Sequence, residues 1–157
     1  MTISDYTTAL VTGANTGMGE AITRRLSEAG VQVYGVARNA EKLQRVADAT
    51  GMRPIACDIA DAAALADALG GLQVDILVNN AGVSATGNIL NATPESVDAM
   101  VDVNLRAVLH LCRLLAPGMV ARNRGHIVNI SSIAGTYNFF GHTAYHATKA
   151  AIHQGAA

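Results

Sequence analysis

The sequence predicts an α/β protein built on a doubly wound parallel sheet, and three observations carry that prediction. First, short and almost wholly apolar runs alternate with segments of helical periodicity along all 157 residues. Continuous apolar strands of this kind are buried on both faces, as in a parallel sheet covered by helices. Second, an unusual glycine or polar group follows each of five predicted strands; right-handed crossovers bring all such positions to one edge of the sheet. Third, 50% of residues are hydrophobic and only 15% charged, which excludes intrinsic disorder. Area scaling predicts roughly 7,500 Å² exposed when folded against roughly 23,000 Å² unfolded, enough burial for a full core. Residues 1–157 are read as a single domain, with no repeat, linker or low-complexity tract.

The elements follow in order. Thr8–Val11 is a short apolar strand ending in a glycine-rich turn. Ala21, Ile22, Leu26 and Ala29 recur at helical spacing until Gly30, a plausible stop. Val31–Val36 is the second strand, and Asn39 caps a helix carrying Leu43, Val46 and Ala47. Arg53–Cys57 reads as the third strand; Asp61 then caps an Ala/Leu helix that ends at Gly70-Gly71. Val74–Val78 is the fourth strand. Thr93-Pro94-Glu95 combines a cap, a first-turn proline and an acid near the positive dipole end. The helix it starts is expected to reach about Arg122, with a kink near Pro117. Ile127–Ile130 is the fifth strand, and a last helix begins near Thr143.

Charge and cysteine usage narrow the function classes. Eleven Lys and Arg against twelve Asp and Glu leave a net charge of −1, with no electrostatic footprint for nucleic acid or an anionic membrane. Cys57 and Cys112 form no CxxC pair, so neither a disulfide framework nor a zinc knuckle is expected, and a reduced cytoplasmic setting fits. The first basic residue is Arg24, unlike a signal peptide. The uncharged stretch from Ile76 to Pro94 is interrupted by Asn79, Asn80, Gly82, Ser84 and Gly87, so it is not read as a membrane span; a soluble protein is expected.

The five groups at the strand ends suggest a nucleotide site. After the first strand comes Thr12-Gly13-Ala14-Asn15-Thr16-Gly17-Met18-Gly19. Glycines allow a tight turn and close approach of backbone to phosphate, and a following helix presents free N–H groups to an anion. After the second strand, an NAD site usually carries an acid about 20 residues beyond the glycines. Here Ala37 and Arg38 stand there instead, and a guanidinium suits a 2′-phosphate. NADP(H) is therefore favoured, with NAD(H) as the alternative and an ordinary surface arginine as the bland reading. Asp58, before Ile59, reads either as an adenine contact or as a helix cap. Asn79 and Asn80, before Ala81 and Gly82, are expected to tie neighbouring loops together and line the groove.

The fifth strand is followed by Ser131-Ser132 and then by Tyr145 and Lys149, an i, i+4 pair on one helix face. A free phenol titrates near pH ~10, so it works as an acid or base at neutrality only where a cation favours phenolate. Lys149 can supply that charge. His142 and His146 share the same spacing, but no carboxylate or cysteine completes a metal shell, and a partly exposed, helix-flanking role is expected; no metal site is predicted. Phe139 and Phe140 are read as pocket wall or core packing.

Taken together, these groups resemble the short-chain dehydrogenase/reductase family from about Thr8 to Ala151, in the family's order and spacing. The residues carrying the likeness are Thr12–Gly19, Asn79–Gly82, Asn104, Ser132, Tyr145 and Lys149. The resemblance implies a Rossmann-like sheet of strand order 3-2-1-4-5. It implies an oxidoreductase that moves a hydride between NADP(H) and a secondary alcohol or ketone. Tyr145 would be the acid/base, Ser132 would orient the substrate oxygen, and Lys149 would bind the nicotinamide ribose and favour the phenolate. Asn104 would hold a water in a proton relay. Gly13, Asn15, Thr16, Gly17, Met18 and Gly19 would meet the pyrophosphate side, Arg38 the 2′-phosphate, Asp58 and Ile59 the adenine, and Asn80, Ala81 and Gly82 the adenosine side. Together with Tyr145 and Lys149 these form the implied cofactor site.

The family also implies a homo-oligomer, dimer or tetramer, with the long helix from Pro94 in its contacts; Val97, Val101, Leu105, Val108, Leu109 and Leu115 give that helix apolar surface all round. Family members continue well past the last helix, so a truncated member lacking the usual strands 6 and 7 is expected. A non-catalytic nucleotide-binding remnant is the competing function. A Rossmann-type methyltransferase is a third reading, opposed by the glycine spacing and the Ser/Tyr/Lys set.

Overall fold

The computed structural model describes residues 3–155. Strands β1 (Thr8–Thr12), β2 (Gln32–Ala37), β3 (Arg53–Ala56), β4 (Ile76–Asn79) and β5 (His126–Asn129) form one parallel sheet in the order β3-β2-β1-β4-β5. Thr12 lies opposite Val36, Val11 opposite Val78, and Asn79 opposite Asn129. The C-terminal ends of the strands therefore share one edge, as the apolar runs and crossover rule predict.

Helices α1 (Gly17–Glu28), α2 (Ala40–Thr50), α3 (Ala62–Ala68), α4 (Pro94–Val101), α5 (Ala107–Ala121) and α6 (Thr143–Gln154) connect and cover the strands. Their starts are local chemistry. The Asn39 side chain accepts from Lys42 N at 2.8 Å, Asp61 accepts from Ala63 N and Ala64 N, and Thr93 Oγ1 accepts from Ser96 N beside Pro94. Each cap satisfies a backbone donor that the first turn leaves free.

The period-2 alternation of the strands sorts their side chains into two layers. Ala9, Val11, Val33, Ile76 and Val78 pack with Leu26, Leu43 and Val46 on the α1–α2 face. Leu10, Val36 and Leu77 pack with Leu65, Leu111, Leu115 and Met119 on the α3–α5 face. Burying one such leucine stabilises the fold by about 1.5–3 kcal/mol.

The long helical segment departs from expectation. Its irregularity is a π turn at Asp102–Arg106, joining α4 to α5, and not a kink near Pro117. Pro117 sits inside α5 facing solvent, near the helix end, where a lost hydrogen bond is easily made up by water. The π turn places Asn104 inward, 1% exposed. Nor is α5 buried all round: Val108, Leu111 and Leu115 face the core, while Leu109 and Leu114 face outward.

A polar cluster that the sequence gives no warning of pins the opposite edge. Asp75, 5% exposed, accepts from Thr7 N at 2.8 Å, Thr7 Oγ1 at 2.9 Å and Arg124 Nη2 at 3.0 Å. Burial raises the Asp75 carboxyl, but the Thr7 bonds, the Arg124 charge and the Thr8 backbone outweigh it and hold it below the usual range.

Candidate active site

A groove of about 360 Å³ runs along the C-terminal edge of β1, β2, β3 and β4. Its walls include Gly13, Asn15, Thr16, Gly17, Met18, Gly19, Arg38, Asp58, Ile59, Asn80, Ala81 and Gly82. The structure thus brings these residues to one place, but not Asn79, which was expected to line the groove with Asn80: its side chain, 3% exposed, turns instead to Asn129.

The glycine turn is built for close approach. Gly13 and Gly17 have φ of +66° and +53°, in the left-handed region that suits glycine. A Cβ added to Gly19 would lie 2.1 Å from Gly13 O and 2.5 Å from Asn80 Nδ2, so only glycine fits there. The turn is tied to the next loop: Thr12 Oγ1 accepts from Asn80 N and Ala81 N, each at 3.0 Å, and Asn80 Nδ2 donates to Thr12 O at 2.9 Å. Thr12 heads the glycine motif in the sequence, but its role as the tie between the two loops is visible only here. Asn79 Nδ2 donates to Asn129 Oδ1 at 2.7 Å, joining the ends of β4 and β5.

The helix that follows the turn differs from its neighbours. α2 and α3 carry side-chain caps, whereas Thr16 at the α1 N-cap makes no side-chain capping bond. The first-turn N–H groups of α1 therefore stand open at the groove, where an anion satisfies both them and the helix dipole. Arg38 is well exposed beside the groove, with Nη1 3.8 Å from Asp58 Oδ2. Asp58 also accepts from Ala60 N at 3.0 Å, so it acts as a local cap as well as a groove residue.

The second constellation lies at the β4–β5 end. Lys149, 5% exposed, donates from Nζ to Ile130 O at 2.8 Å. Burial pushes its ammonium below the usual lysine range. Its Nζ stands 5.8 Å from the centroid of the half-buried Tyr145 ring. Asn104 Oδ1 accepts from Val83 N, and its Nδ2 donates to Val83 O and to Thr148 Oγ1, at 2.8, 2.8 and 3.2 Å. A Cβ on Gly82 would come within 3.3 Å of Asn104 Oδ1 and 3.6 Å of Lys149 Nζ. Gly82 is therefore where the groove meets this constellation.

Ser132 stands at the start of a single 3₁₀ turn, Ile133–Gly135, and its Oγ accepts from Ala134 N at 3.1 Å. That turn is seated on α6: Ser131 Oγ donates to Lys149 O at 3.0 Å, and a Cβ on Gly135 would meet that oxygen at 2.8 Å.

His146 corrects an expectation. It is 9% exposed, not a partly exposed flanking residue. Its Nδ1–H donates to Ala134 O at 2.7 Å, leaving Nε2 to accept from Phe139 N at 2.8 Å. The Phe139 ring stacks on it at 5.6 Å between centroids. Phe140, 93% exposed, does not pack in the core.

Comparison with known proteins places this geometry. A family model described as short chain dehydrogenase matches residues 7–156. A probable NADP-dependent dehydrogenase of Haemophilus influenzae is 43% identical over 156 residues, and an NADP-dependent 3-hydroxy acid dehydrogenase of Salmonella typhi is 39% identical over 153. The alignments cover 94% and 92% of this chain but 62% of each relative, so the chain spans about three fifths of their length. Among solved structures, serine dehydrogenase from Escherichia coli superposes with a TM-score of 0.89 at 39% identity, covering 94% of this chain and 72% of that one. A metagenomic short-chain oxidoreductase in complex with NADP gives a TM-score of 0.89 at 40% identity with the same coverage.

Proposed function

The chain belongs to the short-chain dehydrogenase family, and on that premise we propose that it is the nucleotide-binding and proton-transferring part of an NADP(H)-dependent oxidoreductase acting on a secondary alcohol or ketone. The observation that carries this reading is the junction at Gly82, where the glycine-turn groove meets Asn104 and Lys149. Residues 1–157 are taken as one nucleotide-binding unit.

The residues present fit the cofactor. The α1 N-terminus without a side-chain cap and the glycine turn take the pyrophosphate, with Asn15, Thr16 and Met18 along its path. Arg38 takes the 2′-phosphate. Ala37 at the end of β2 supplies no carboxylate to repel it, and the relatives named NADP-dependent support the same choice over NAD(H). Asp58 and Ile59 border the adenine, and Asn80, Ala81 and Gly82 the adenosine side. When bound, the nicotinamide supplies or takes up the hydride.

Tyr145 exchanges the proton with the substrate oxygen, which Ser132 orients. The Lys149 ammonium stands 5.8 Å from the centroid of the Tyr145 ring. With its Nζ bonded to Ile130 O, that charge is fixed to β5's end rather than free to swing. The Asn104 amide is bonded to Val83 and Thr148 and so ties α6 to the loop after β4, while Asn104 keeps its proposed place in the proton relay. We place the protein in the cytoplasm as a homo-oligomer without nucleic-acid or membrane partners; among the described residues no helix is long and apolar enough to cross a membrane.

Tyr145→Phe is the deciding experiment. Turnover is expected to fall about 10²–10⁴-fold, the usual worth of acid–base catalysis, with NADPH affinity unchanged. Unimpaired turnover overturns the assignment, and binding of NADPH without any wild-type turnover favours the non-catalytic remnant instead. In parallel, Arg38→Ala is expected to weaken NADPH about tenfold and leave NADH alone, consistent with loss of a charge-assisted hydrogen bond.

A further inference from the structure

The two segments beside Tyr145 combine exposure with neutrality. Among the described residues, Ile89 and Leu90 after β4, and Ile133, Tyr137, Phe139 and Phe140 before α6, are large apolar side chains left exposed. Scattered apolar residues on a surface need no explanation, but a grouping of this kind marks a binding surface. No Asp, Glu, Lys or Arg occurs from residue 76 to 94 or from 125 to 148.

These segments are fastened to each other and to α6. Gly87 N donates to Gly141 O at 2.9 Å, and Thr86 Oγ1 meets His142 Nε2 at 3.5 Å. Buried His146 clamps Ala134 and Phe139 from the turn of α6 that carries Tyr145. The aromatic residues are therefore displayed on a pinned loop, which lowers the entropy cost of binding to them.

Among the described residues of these two segments, no free cation awaits a carboxylate-bearing substrate. Lys149 is only 5% exposed, with Nζ donating to Ile130 O, and both His142 nitrogens are engaged, Nδ1 lying 3.1 Å from Phe140 O. Resting on the reading of the site given above, we propose that the carbonyl substrate is uncharged and carries a bulky apolar group, aromatic rather than small, seated between these two segments. The substrate class then differs from serine and 3-hydroxy acids, the compounds after which two similar proteins are named.

The test uses the 157-residue chain, which contains no tryptophan to interfere with a fluorescent ligand. The probe is 6-propionyl-2-(dimethylamino)naphthalene, a neutral aryl ketone whose emission shifts to the blue in apolar surroundings. It is titrated with and without NADP⁺ into wild type, Phe140→Ser and Leu109→Ser. Both substituted side chains are exposed, at 93% and 57%, so both variants keep the fold, and Leu109 lies away from the two segments on α5.

Saturable binding that Phe140→Ser weakens at least fivefold, that Leu109→Ser leaves unchanged, and that excess acetoacetate does not displace is the expected result. Binding indifferent to Phe140→Ser, no binding at all, or displacement by acetoacetate overturns the substrate class. A separate NADPH titration keeps the two ideas apart: failure of wild type to bind NADPH refutes the cofactor reading itself, whatever the probe does.

Discussion

The β1–β2–β4 centre of the sheet and its β5 edge are made of similar residues but sit in different environments. Ala9, Leu10, Val11, Val33 and Leu77 are 0% exposed, whereas no residue of β5 is fully buried. Among the described residues β5 pairs only with β4, and beside it an open apolar groove of about 630 Å³ is lined by residues including Ile22, Leu26, Ile76, Val78 and Val128. The solvent-accessible surface is 8576 Å², against roughly 7,500 Å² expected for this mass from area scaling. Ser132 and Lys149, the proposed catalytic residues, lie at β5's end on that less buried side, while the glycine-turn groove rests on the well-packed centre.

The contrast is sharpest in stability. Leu77→Ala, in the centre, is expected to cost about 2–5 kcal/mol, read as a lower denaturant midpoint. Val128→Ala, on the half-buried edge, should cost clearly less; equal losses would break the contrast between the regions. Next in size is Gly19→Ala, whose Cβ would strike Gly13 O, at about 1–3 kcal/mol together with loss of NADPH binding. Gly17→Ala meets no neighbouring atom within 4 Å, so only its positive φ is penalised, by about 1–2 kcal/mol. Ranking the two by thermal melting separates close packing from backbone strain.

The smallest effect is electrostatic. The folded Asp75 carboxyl lies below its ordinary value, so its stabilisation is fully present above that ordinary value and is lost as pH falls below it through the lowered folded value. Melting temperature should therefore drop on acidification more steeply in wild type than in Asp75→Asn, which has no such proton to gain. An identical acid slope in the two proteins would remove Asp75 from the account.

The sequence by itself determined the strands, the caps and the glycine turn, because each is written locally. Apolar runs of four to six residues, Asn39, Asp61 and Thr93 as caps, and glycine spacing need no distant partner to be read. Tertiary structure decided the rest. The π turn around Asn104 could not be inferred from Asp102-Val103-Asn104, since its value comes from Val83 and Thr148, 21 and 44 residues away. His146 looked like a helix-flank residue until Ala134 and Phe139 closed on it, and Asp75 looked ordinary until Thr7 and Arg124 arrived from 68 residues before it and 49 after. Periodicity and capping are properties of neighbouring residues; burial of a polar group is a property of whatever the fold brings to it.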